Sequence, residues 1–314
     1  MTIRLTVERE RWWSHCTDIA ATTPGLVPVV KGNGYGFGRV GLAVAAVELS
    51  PLIAVGTVHE LAGLPAKAMP VVLTPAMAPP PAPAGGSTPP VLTIADPAHV
   101  HALGEWTGQV VVKLTSSMHR FGTSPDELLG LLATAQRAGL QPVGVALHLP
   151  LAGDDDLRRA EVEAWLQHVD PSLDVWVSHL APDTYASLPA THRYKLRVGS
   201  YLWHGDRGAL KLTADVLQTR PVTDGDTAGY RLTPVSGDGT LVMVGAGSAA
   251  GVAPLPDGSS PFHYRRRRLE LVEPPHMHTS MMFVPAGQPV PTVGEWVDLQ
   301  RPLTQTAVDE LQWV

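Results

Sequence analysis

Short apolar runs rich in valine, leucine and isoleucine recur through the first two-thirds of the chain. They are continuous rather than alternating, which is typical of strands buried on both faces. About eight candidate strands lie at Leu26 to Val30, Leu52 to Val55, Val71 to Leu73, Val91 to Ile94, Val110 to Leu114, Val143 to Leu147, Leu173 to Val177 and Leu196 to Leu202. Several of the gaps between them carry helix-like stretches, at Val40 to Leu49, Val58 to Leu64, Pro125 to Ala138 and Asp155 to Val169.

This alternation of strand and helix predicts an α/β fold with a parallel sheet, and the number of units favours a (β/α)8 TIM-type barrel. An open doubly wound sheet is the alternative. After about residue 206 the pattern changes to short strands separated by turn sequences, at Leu210 to Thr219, Thr240 to Val244, Arg268 to Val272 and Trp296 to Leu299. We therefore expect a barrel domain over residues 9–205 and a C-terminal all-β domain over residues 206–314. The alternating run at residues 1–8 is expected to pair with the sheet of the second domain.

One connection in the first two-thirds departs from this pattern. Residues 75–90 read PAMAPPPAPAGGSTPP. Proline fixes φ and lacks the backbone N–H that a helix needs, so this density of prolines excludes a regular helix. We predict an irregular surface loop.

Composition and charge narrow the class of protein. The chain has 314 residues, 44% of them hydrophobic, and a formal net charge of -6, so it lacks the basic footprint that nucleic-acid binding needs. No apolar stretch reaches the ~18 residues of a membrane span, and the N-terminus does not resemble a signal peptide. The single cysteine, Cys16, excludes an internal disulfide and fits a reducing compartment. We expect a soluble cytoplasmic protein without a nucleic-acid or membrane partner.

The most informative segment is VVKGNGYGFG, in which Lys31 ends an apolar strand and a glycine-rich turn follows. The carboxyl end of a barrel strand is where barrel enzymes carry their catalytic residues. A partly desolvated lysine at that end has a lowered pKa and can form a Schiff base with a carbonyl compound or with pyridoxal phosphate. A surface lysine beside a turn is the alternative that the glycine pattern by itself leaves open.

The longer segment PVVKGNGYGFG resembles the cofactor-lysine signature of the alanine racemase family. The resemblance implies that Lys31 forms a Schiff base with pyridoxal 5'-phosphate and that Tyr35 contacts the cofactor phosphate. Further segments similar to this family follow in its order over most of the chain. A chance match to one motif does not account for that order.

Two of these segments overlap the ends of predicted strands. VKLTSSMHRFG is similar to the family's strand lysine with an arginine seven residues later. The resemblance implies that Arg120 binds the phenolic oxygen of the cofactor and the substrate carboxylate, with Lys113 holding its orientation; a guanidinium matches a carboxylate in two-point geometry. GVALH resembles the family's strand-end histidine, which makes His148 a supporting residue of the cofactor site. A core histidine with its hydrogen bonds satisfied is the alternative.

The last barrel segment, LRVGSYLWHG, implies further cofactor contacts. By resemblance Arg197 faces the pyridine nitrogen and keeps it unprotonated, which limits the lifetime of a carbanion and favours its reprotonation. The backbone N–H groups of Gly199 and Ser200 are expected to bind the phosphate, as late barrel loops do. Thr184 is the nearest match to the family's phosphate-binding serine.

The segment DTAGYR lies at the position of the family's Gly-Tyr motif in the β domain. Racemisation needs proton transfer on both faces of a planar carbanion, and the resemblance assigns these roles to Lys31 and Tyr230. The family places this tyrosine in the active site of the partner subunit, so the resemblance also implies a homodimer with shared active sites. Met277 aligns with the substrate-side methionine of the family's Met-Asp pair. A glycine followed by a tyrosine is commonplace in β domains, which is the alternative for this segment alone.

Several positions depart from the family pattern. His278 stands where the family has an aspartate, Phe37 where it has a histidine, and Asp183 near the usual phosphate-binding serine. A carboxylate that faces a phosphate is unfavourable. The sequence stops at Val314, before the family's terminal segment with another phosphate-contacting tyrosine. We therefore expect weaker phosphate binding and a differently shaped pocket.

The leading hypothesis is a pyridoxal-phosphate-dependent amino-acid racemase with alanine as the default substrate. Another small amino acid is an alternative, because His278 replaces a carboxylate near the substrate. A hypothesis from a different class is a catalytically silent relative that acts as a binding partner, motivated by the lost phosphate contacts. A decarboxylase or aldolase on the same barrel fits less well. The β domain has no cysteine, which the basic-amino-acid decarboxylases would require. The histidines at 276 and 278 lack a third ligand at suitable spacing, so we expect no metal, which a metal-assisted aldolase would require.

Overall fold

The strands of the computed structural model, which describes residues 2–82 and 88–314, fall into two units. The barrel unit comprises Ser14–Gly34 and Arg39–Gly205, and the β unit comprises Met1–Trp13, Tyr35–Gly38 and Asp206–Val314. The loop predicted over residues 75–90 lies in part outside the described residues, at 83–87. Its described remainder forms neither helix nor strand after Pro75.

Eight parallel strands form the barrel unit. Numbered after a first strand β1 (Ile3–Val7) of the β unit, they are β2 (Leu26–Pro28), β3 (Leu52–Val55), β4 (Met69–Pro75), β5 (Val91–Ile94), β6 (Gln109–Leu114), β7 (Gln141–Leu147), β8 (Asp174–Ser178) and β9 (Tyr194–Val198). Their order is β2-β9-β8-β7-β6-β5-β4-β3. The two ends of this sheet meet where Val29 bridges Ala54 and the Val30 N–H donates to the Ala54 carbonyl at 2.8 Å. The predicted (β/α)8 barrel is confirmed, and an open doubly wound sheet does not describe it.

Helices lie before, between and after the barrel strands. They are α1 (Arg9–Thr22), α2 (Arg39–Leu49), α3 (Pro97–Ala102), α4 (Pro125–Arg137), α5 (Asp155–Leu166), α6 (Pro182–Ala186) and α7 (Ser200–His204). The start of α4 is set by Glu127, whose carboxylate accepts the N–H and the hydroxyl of Ser124 at 3.2 and 2.7 Å. Along the described ranges, no helix combines the length and apolar character needed to cross a bilayer.

Several predicted elements of the barrel are shorter than expected. The first strand ends at Pro28 rather than Val30, and α5 ends at Leu166 rather than Val169. The strand predicted to reach Leu202 ends at Val198, because Gly199 leaves the extended conformation and its carbonyl accepts the Trp203 N–H at 3.1 Å, which begins α7. The helix predicted over Val58 to Leu64 is only a 3₁₀ turn, Val58–Leu61. Gly63, at φ 78°, and the proline that follows shortly after it end that turn.

An antiparallel sheet dominates the β unit. Its strands are β10 (Leu210–Val222), β13 (Gly239–Val244), β14 (Phe262–Tyr264), β15 (Arg267–Arg268), β16 (Glu270–Leu271), β17 (Ser280–Pro285), β18 (Trp296–Leu299) and β19 (Glu310–Trp313), with β11 (Thr227–Ala228) and β12 (Thr233–Pro234) forming a separate hairpin. The all-β character predicted for the C-terminal part is confirmed. The single strand predicted over Arg268 to Val272 is interrupted, because the N–H of buried Leu269 bonds to the Phe262 carbonyl between β15 and β16.

The first strand of the chain belongs to the β unit. In β1, Ile3, Leu5 and Val7 are buried and alternate with half-buried residues, which is the period of a strand with one face in a core. This strand pairs antiparallel with β10, with Ile3 opposite Ala214, and parallel with β19. It therefore lies between the first and the last strands of the C-terminal part.

Candidate active site

Charged side chains gather at the carboxyl ends of the barrel strands. Parallel strands in a closed barrel end at the same face, so residues distant in sequence meet there. The residues that the structure places at this face are Lys31 after β2, Lys113 near the end of β6, Arg120 in the loop after β6, His148 after β7 and Arg197 near the end of β9. The charges of Arg120 and Arg197 both act on the pKa values of Lys31 and Lys113. These four cations form one electrostatic cluster, here called the cationic cluster.

Lys31 is held by the glycine-rich turn that follows β2. The Gly34 N–H donates to the Lys31 carbonyl at 3.2 Å, and both Gly32 and Gly34 have φ of 64°. A Cβ at Gly34 would also overlap the backbone of Arg39, so only glycine fits there. The turn therefore fixes the backbone of Lys31 while its side chain remains open to solvent.

The surroundings of Lys31 lower the pKa of its amine. Partial desolvation has the largest effect, the charges of Arg120 and Arg197 lower the pKa further, and the Glu60 carboxylate opposes them. A lower pKa increases the fraction of free amine, which is the form of lysine that attacks a carbonyl carbon.

Glu60 was missed by sequence reasoning. Its carboxylate accepts the N–H of Gly32 at 3.1 Å and the N–H of Gly56 at 2.6 Å, so it joins the turn after β2 to the turn after β3. The prediction of a helix around Glu60 hid this role. The sequence pattern that could have indicated this role is Gly56 at the end of a strand, followed four residues later by the carboxylate of Glu60.

Lys113 is the most deeply buried amine of the cationic cluster. It is 4% exposed, and within residues 2–82 and 88–314 its ammonium group forms neither a hydrogen bond nor an ion pair. Burial, followed by the charges of Arg197, Arg120 and Lys31, lowers the pKa of Lys113 to about 6. The side chain is therefore largely uncharged at neutral pH.

A tight loop over residues 115–123 carries Arg120. The Thr123 N–H donates to the Lys113 carbonyl at 2.9 Å, and the Thr115 N–H donates to the Thr123 carbonyl at 3.0 Å, so the loop returns to the end of β6. Gly122 has φ of 133°, and a Cβ there would overlap the backbone of the strand end. Arg120 itself is exposed, which leaves its guanidinium available for a ligand.

Arg197 is a buried cation held by strand carbonyls. It is 5% exposed, and its guanidinium donates to the carbonyls of Leu147 at 2.7 Å, Val177 at 3.3 Å and Trp176 at 3.4 Å. Burial, followed by the charge of Arg120, lowers its pKa to about 10. In the part of the chain that the structure describes, no carboxylate pairs with this guanidinium.

Two histidines pack together beside Arg197. The Nδ1 atom of His148 lies 2.8 Å from the hydroxyl of buried Ser178, and the His179 Nδ1–H donates to the Leu149 carbonyl at 2.8 Å. Their ring centroids are 4.7 Å apart. Burial, followed by the charges of Arg197 and Lys113, lowers the pKa of His148 to about 2, so this imidazole is neutral. Sequence reasoning assigned a role to His148 but to neither of its neighbours.

The residues expected to bind phosphate have different surroundings. Gly199 and Ser200 lie where β9 passes into α7, at the carboxyl face of the barrel. Thr184 lies on α6 close to the Asp155 carboxylate, which accepts the Ala181 N–H at 2.7 Å; burial by itself raises the pKa of Asp155, but this hydrogen bond and the neighbouring Thr184 both lower it. The hydroxyl of Thr184 therefore lies beside a carboxylate, which is an unfavourable neighbour for a phosphate. Asp183 is exposed.

The remaining predicted site residues belong to the β unit. Tyr35 lies in a 3₁₀ turn, Gly34–Gly36, with φ of 56°. Tyr230 lies between β11 and β12 and is 86% exposed, and Met277 is 66% exposed. His276 brings these two segments together, because its ring centroid lies 4.4 Å from that of Tyr230.

The described residues that could bind a metal do not gather into a metal centre. Over residues 2–82 and 88–314, no group of three or more His, Cys, Asp or Glu side chains is arranged to hold a metal ion.

Comparison of the sequence with known protein families identifies the family to which it belongs. The family described as alanine racemase, N-terminal domain, matches residues 10–205, which is more than half of the chain and includes the glycine-rich turn, the Arg120 loop and Arg197. The fold and the site together define the barrel proteins of this class, in which an all-β domain follows the barrel. The chain belongs to the alanine racemase family.

Several solved structures share the whole architecture. Alanine racemase from Bartonella henselae, with covalently bound pyridoxal phosphate, has a TM-score of 0.74 at 18% identity, and the match covers 100% of both chains. Alanine racemase from Bacillus anthracis, with bound L-Ala-P, has a TM-score of 0.76 at 22% identity and covers 95% of this chain and 85% of that one. The enzyme from Streptomyces lavendulae has a TM-score of 0.71 at 18% identity over 100% of this chain and 97% of its own. At these identities the likeness concerns the fold. No curated protein matches the sequence.

Proposed function

We propose that the protein is a pyridoxal-phosphate-dependent amino-acid racemase, with alanine as its first candidate substrate. The observation that carries this proposal is Lys31, an amine of lowered pKa at the carboxyl end of the first barrel strand. Membership of the alanine racemase family supports the assignment, as does the covalently bound pyridoxal phosphate of the Bartonella henselae enzyme.

The residues of the cationic cluster fit this cofactor. Pyridoxal phosphate needs an amine for its aldehyde, and its phosphate and phenolic oxygens are anionic. Lys31 supplies the amine, whereas Arg120 and Arg197 supply positive charge without a carboxylate partner among the described residues. Cations of this kind are stabilised when an anion binds beside them. Gly199 and Ser200, at the start of α7, are the proposed phosphate contacts, and Thr184 joins them only if it leaves Asp155.

The basic residues of the barrel have separate tasks in this proposal. When bound, the cofactor supplies an electron sink that makes the α-proton of an amino acid removable. Arg120 binds the substrate carboxylate, because it is exposed and has no competing ion pair in the described chain. Lys113 is largely neutral at pH 7, so it supports Arg120 without adding a full charge beside it. Arg197, held by three carbonyls, keeps a fixed donor toward the cofactor ring.

Two side chains move protons in the proposed reaction. The Nζ atom of Lys31 takes or returns the α-proton on one face of the substrate, and the Oη atom of Tyr230 does so on the other face. Tyr230 is 86% exposed within its own chain, which suits a residue that acts in the site of a second subunit. Met277, close to Tyr230 through His276, is the proposed substrate contact from the same subunit.

Trapping the cofactor on the protein tests this proposal. We expect purified protein mixed with pyridoxal phosphate to show the visible absorbance of a Schiff base, and borohydride reduction to label the peptide that contains Lys31. Lys31→Ala should abolish both signals. Lys67→Ala, which removes an exposed lysine paired with Glu48, is the matched control and should leave both unchanged.

The outcomes separate the two candidate classes of function. A label on Lys31 followed by exchange of the α-proton of alanine in heavy water would establish the racemase. An absent band with no label on Lys31 would contradict the proposal and favour a catalytically silent binding partner. The observation that favours this second candidate is the Asp155 carboxylate beside Thr184, because a carboxylate disfavours a phosphate.

A further inference from the structure

A buried carboxylate in the β unit holds the segment that carries Tyr230. Glu273 is 7% exposed, and it lies in the connection between β16 and β17. Its Oε1 accepts the N–H of Tyr230 at 2.8 Å, and its Oε2 accepts the N–H of Arg231 at 3.1 Å. Both oxygens of one carboxylate therefore fix two successive peptide groups at the tyrosine.

Gly229 makes this contact possible. Its φ is 77°, in the region that favours glycine, and a Cβ at this position would overlap the Glu273 carboxylate. The position before Tyr230 therefore requires a glycine. It lets the carboxylate approach the backbone closely enough to accept both N–H groups.

His276 connects the same carboxylate to the ring of Tyr230. Its Nε2 hydrogen-bonds to Oε1 of Glu273, and its ring centroid lies 4.4 Å from the Tyr230 ring at 46° between planes. The backbone of His276 is fixed as well, because its N–H donates to the Thr279 carbonyl and its carbonyl accepts the Ser248 N–H, both at 2.8 Å. The otherwise exposed tyrosine ring therefore contacts, at a tilt, a histidine that has little freedom to turn.

The charge of Glu273 strengthens these bonds. Burial by itself raises the pKa of a carboxyl group, but the hydrogen bonds from His276, Tyr230 and Arg231 outweigh it and lower the pKa of Glu273. The group is thus ionised at neutral pH, and hydrogen bonds to an ionised acceptor are roughly twice as strong as neutral ones.

The hairpin that carries Tyr230 is also anchored at its base. Ala228, Val235 and Leu241 are buried together in a small cluster beneath β11 and β12. The Val235 N–H donates to the Asp226 carbonyl at 2.7 Å. With the base packed and the tip held by Glu273, the direction of the exposed tyrosine is set by the fold.

We propose that Glu273 and His276 are positioning residues, which orient the Tyr230 ring for proton transfer at its hydroxyl. The inference rests on the proposed function, since it gives these residues a purpose in the same reaction. Neither residue contacts the substrate in this scheme. They act through the peptide groups and the ring of the tyrosine.

A test without cofactor follows the tyrosine itself. Fluorine NMR of protein labelled with 3-fluorotyrosine should show six signals, and Tyr230→Phe identifies the one from Tyr230. We expect His276→Ala and Glu273→Gln to narrow this signal and move it toward that of a freely exposed tyrosine. His276→Phe, which keeps an aromatic ring at the same position, should retain much of the shift. Glu270→Gln removes an exposed carboxylate on the neighbouring strand and is the matched control.

A test with cofactor separates positioning from general loss of stability. Each substrate enantiomer presents its α-proton to only one of the two proposed bases. With Tyr230 misplaced, the enantiomer that meets Lys31 should still exchange its α-proton in heavy water, whereas net racemisation falls by about 10–100-fold. A variant that merely unfolds would lose both rates together, and circular dichroism checks that the fold is retained.

Two results would overturn the inference. One is an unchanged Tyr230 fluorine signal in both His276→Ala and Glu273→Gln, and the other is racemisation by these variants at the wild-type rate. A wild-type protein that exchanges neither enantiomer would instead contradict the racemase proposal. The fluorine spectra would then still decide whether Glu273 and His276 hold the ring.

Discussion

At the scale of single residues, the burial of Lys113 at the carboxyl face of the barrel lowers the stability of the fold. A lysine that is 4% exposed among three other cations loses hydration and gains no counter-charge from the described part of the chain. Desolvation and like charge both disfavour the ammonium form, which accounts for a pKa of about 6. Such a side chain destabilises the fold unless a ligand uses it, and binding sites commonly contain groups of this kind.

Replacing this lysine with an apolar residue should therefore stabilise the protein. Between pH 6 and 10.5 the unfolded chain binds a proton at Lys113 that the folded chain does not, so wild-type stability rises with pH across this window. We expect Lys113→Met to melt higher than wild type at pH 7, by at least the ~2–4 °C that corresponds to about 1 kcal/mol in a domain of this size. The difference should shrink as the pH approaches 10.5.

Thermal melts of both proteins from pH 6 to pH 10 provide the measurement. Lys67→Met serves as a control, because Lys67 is exposed and its variant should keep a constant difference from wild type. A difference between Lys113→Met and wild type that does not change with pH would show that Lys113 keeps its charge in the folded protein.

At the scale of elements, the loop over residues 115–123 depends on Gly122. A side chain there would adopt an unfavourable φ and overlap the end of β6, so the loop must move and take Arg120 with it. We expect Gly122→Ala to weaken pyridoxal-phosphate binding by about tenfold, and strain of this kind costs about 1–3 kcal/mol of stability. Absorbance titration with the cofactor and a denaturant melt measure the two effects.

Gly130 offers a matched control within α4. It lies in a helix, and a Cβ there meets no neighbour within 4 Å. Gly130→Ala should stabilise the protein by about 0.5–1 kcal/mol and leave cofactor binding unchanged. Equal behaviour of the two variants would mean that Arg120 does not depend on the shape of its loop.

The same scale shows what the sequence could predict. Apolar runs located the barrel strands, because a strand buried on both faces is continuously apolar. The short helix α7 was missed, since its residues are as apolar as the strand before it and only the backbone of Gly199 separates them. Glu60 and Glu273 were missed for a different reason. Each accepts a backbone N–H from a distant residue, 28 residues away for Glu60 and 43 for Glu273, and such pairings leave no local pattern; the only local trace is the Gly56 N–H that Glu60 also accepts.

At the scale of the whole molecule, the exposure of Tyr230 leads to a test of which subunit's active site contains its side chain. Suppose that each active site combines Lys31 of one subunit with Tyr230 of another. Lys31→Ala then removes the base that one subunit supplies, and Tyr230→Phe removes the base that the other subunit supplies. A dimer with one chain of each kind then contains one intact site. After equal mixing and reassembly, random pairing should restore roughly a quarter of wild-type racemase activity.

Racemisation assays before and after reassembly measure this recovery, and sedimentation velocity shows whether dimers are present. Mixing Lys31→Ala with a double variant that also carries Tyr230→Phe is the control, because no combination of these chains rebuilds a site. If mixed dimers are present and the mixture of the two single variants still has no more racemase activity than its components, both bases of a site come from one chain.

The position of β1 between β10 and β19 has a consequence for how the chain is made. The ribosome synthesises Ile3, Leu5 and Val7 long before their pairing partners, which begin at Leu210 and Glu310. At usual rates of synthesis this apolar strand waits on the order of tens of seconds with both edges open. An open apolar strand is a template for aggregation. Slower translation lengthens that interval, so the yield of correctly folded protein should depend on chaperones that cover β1 until β10 and β19 have been made.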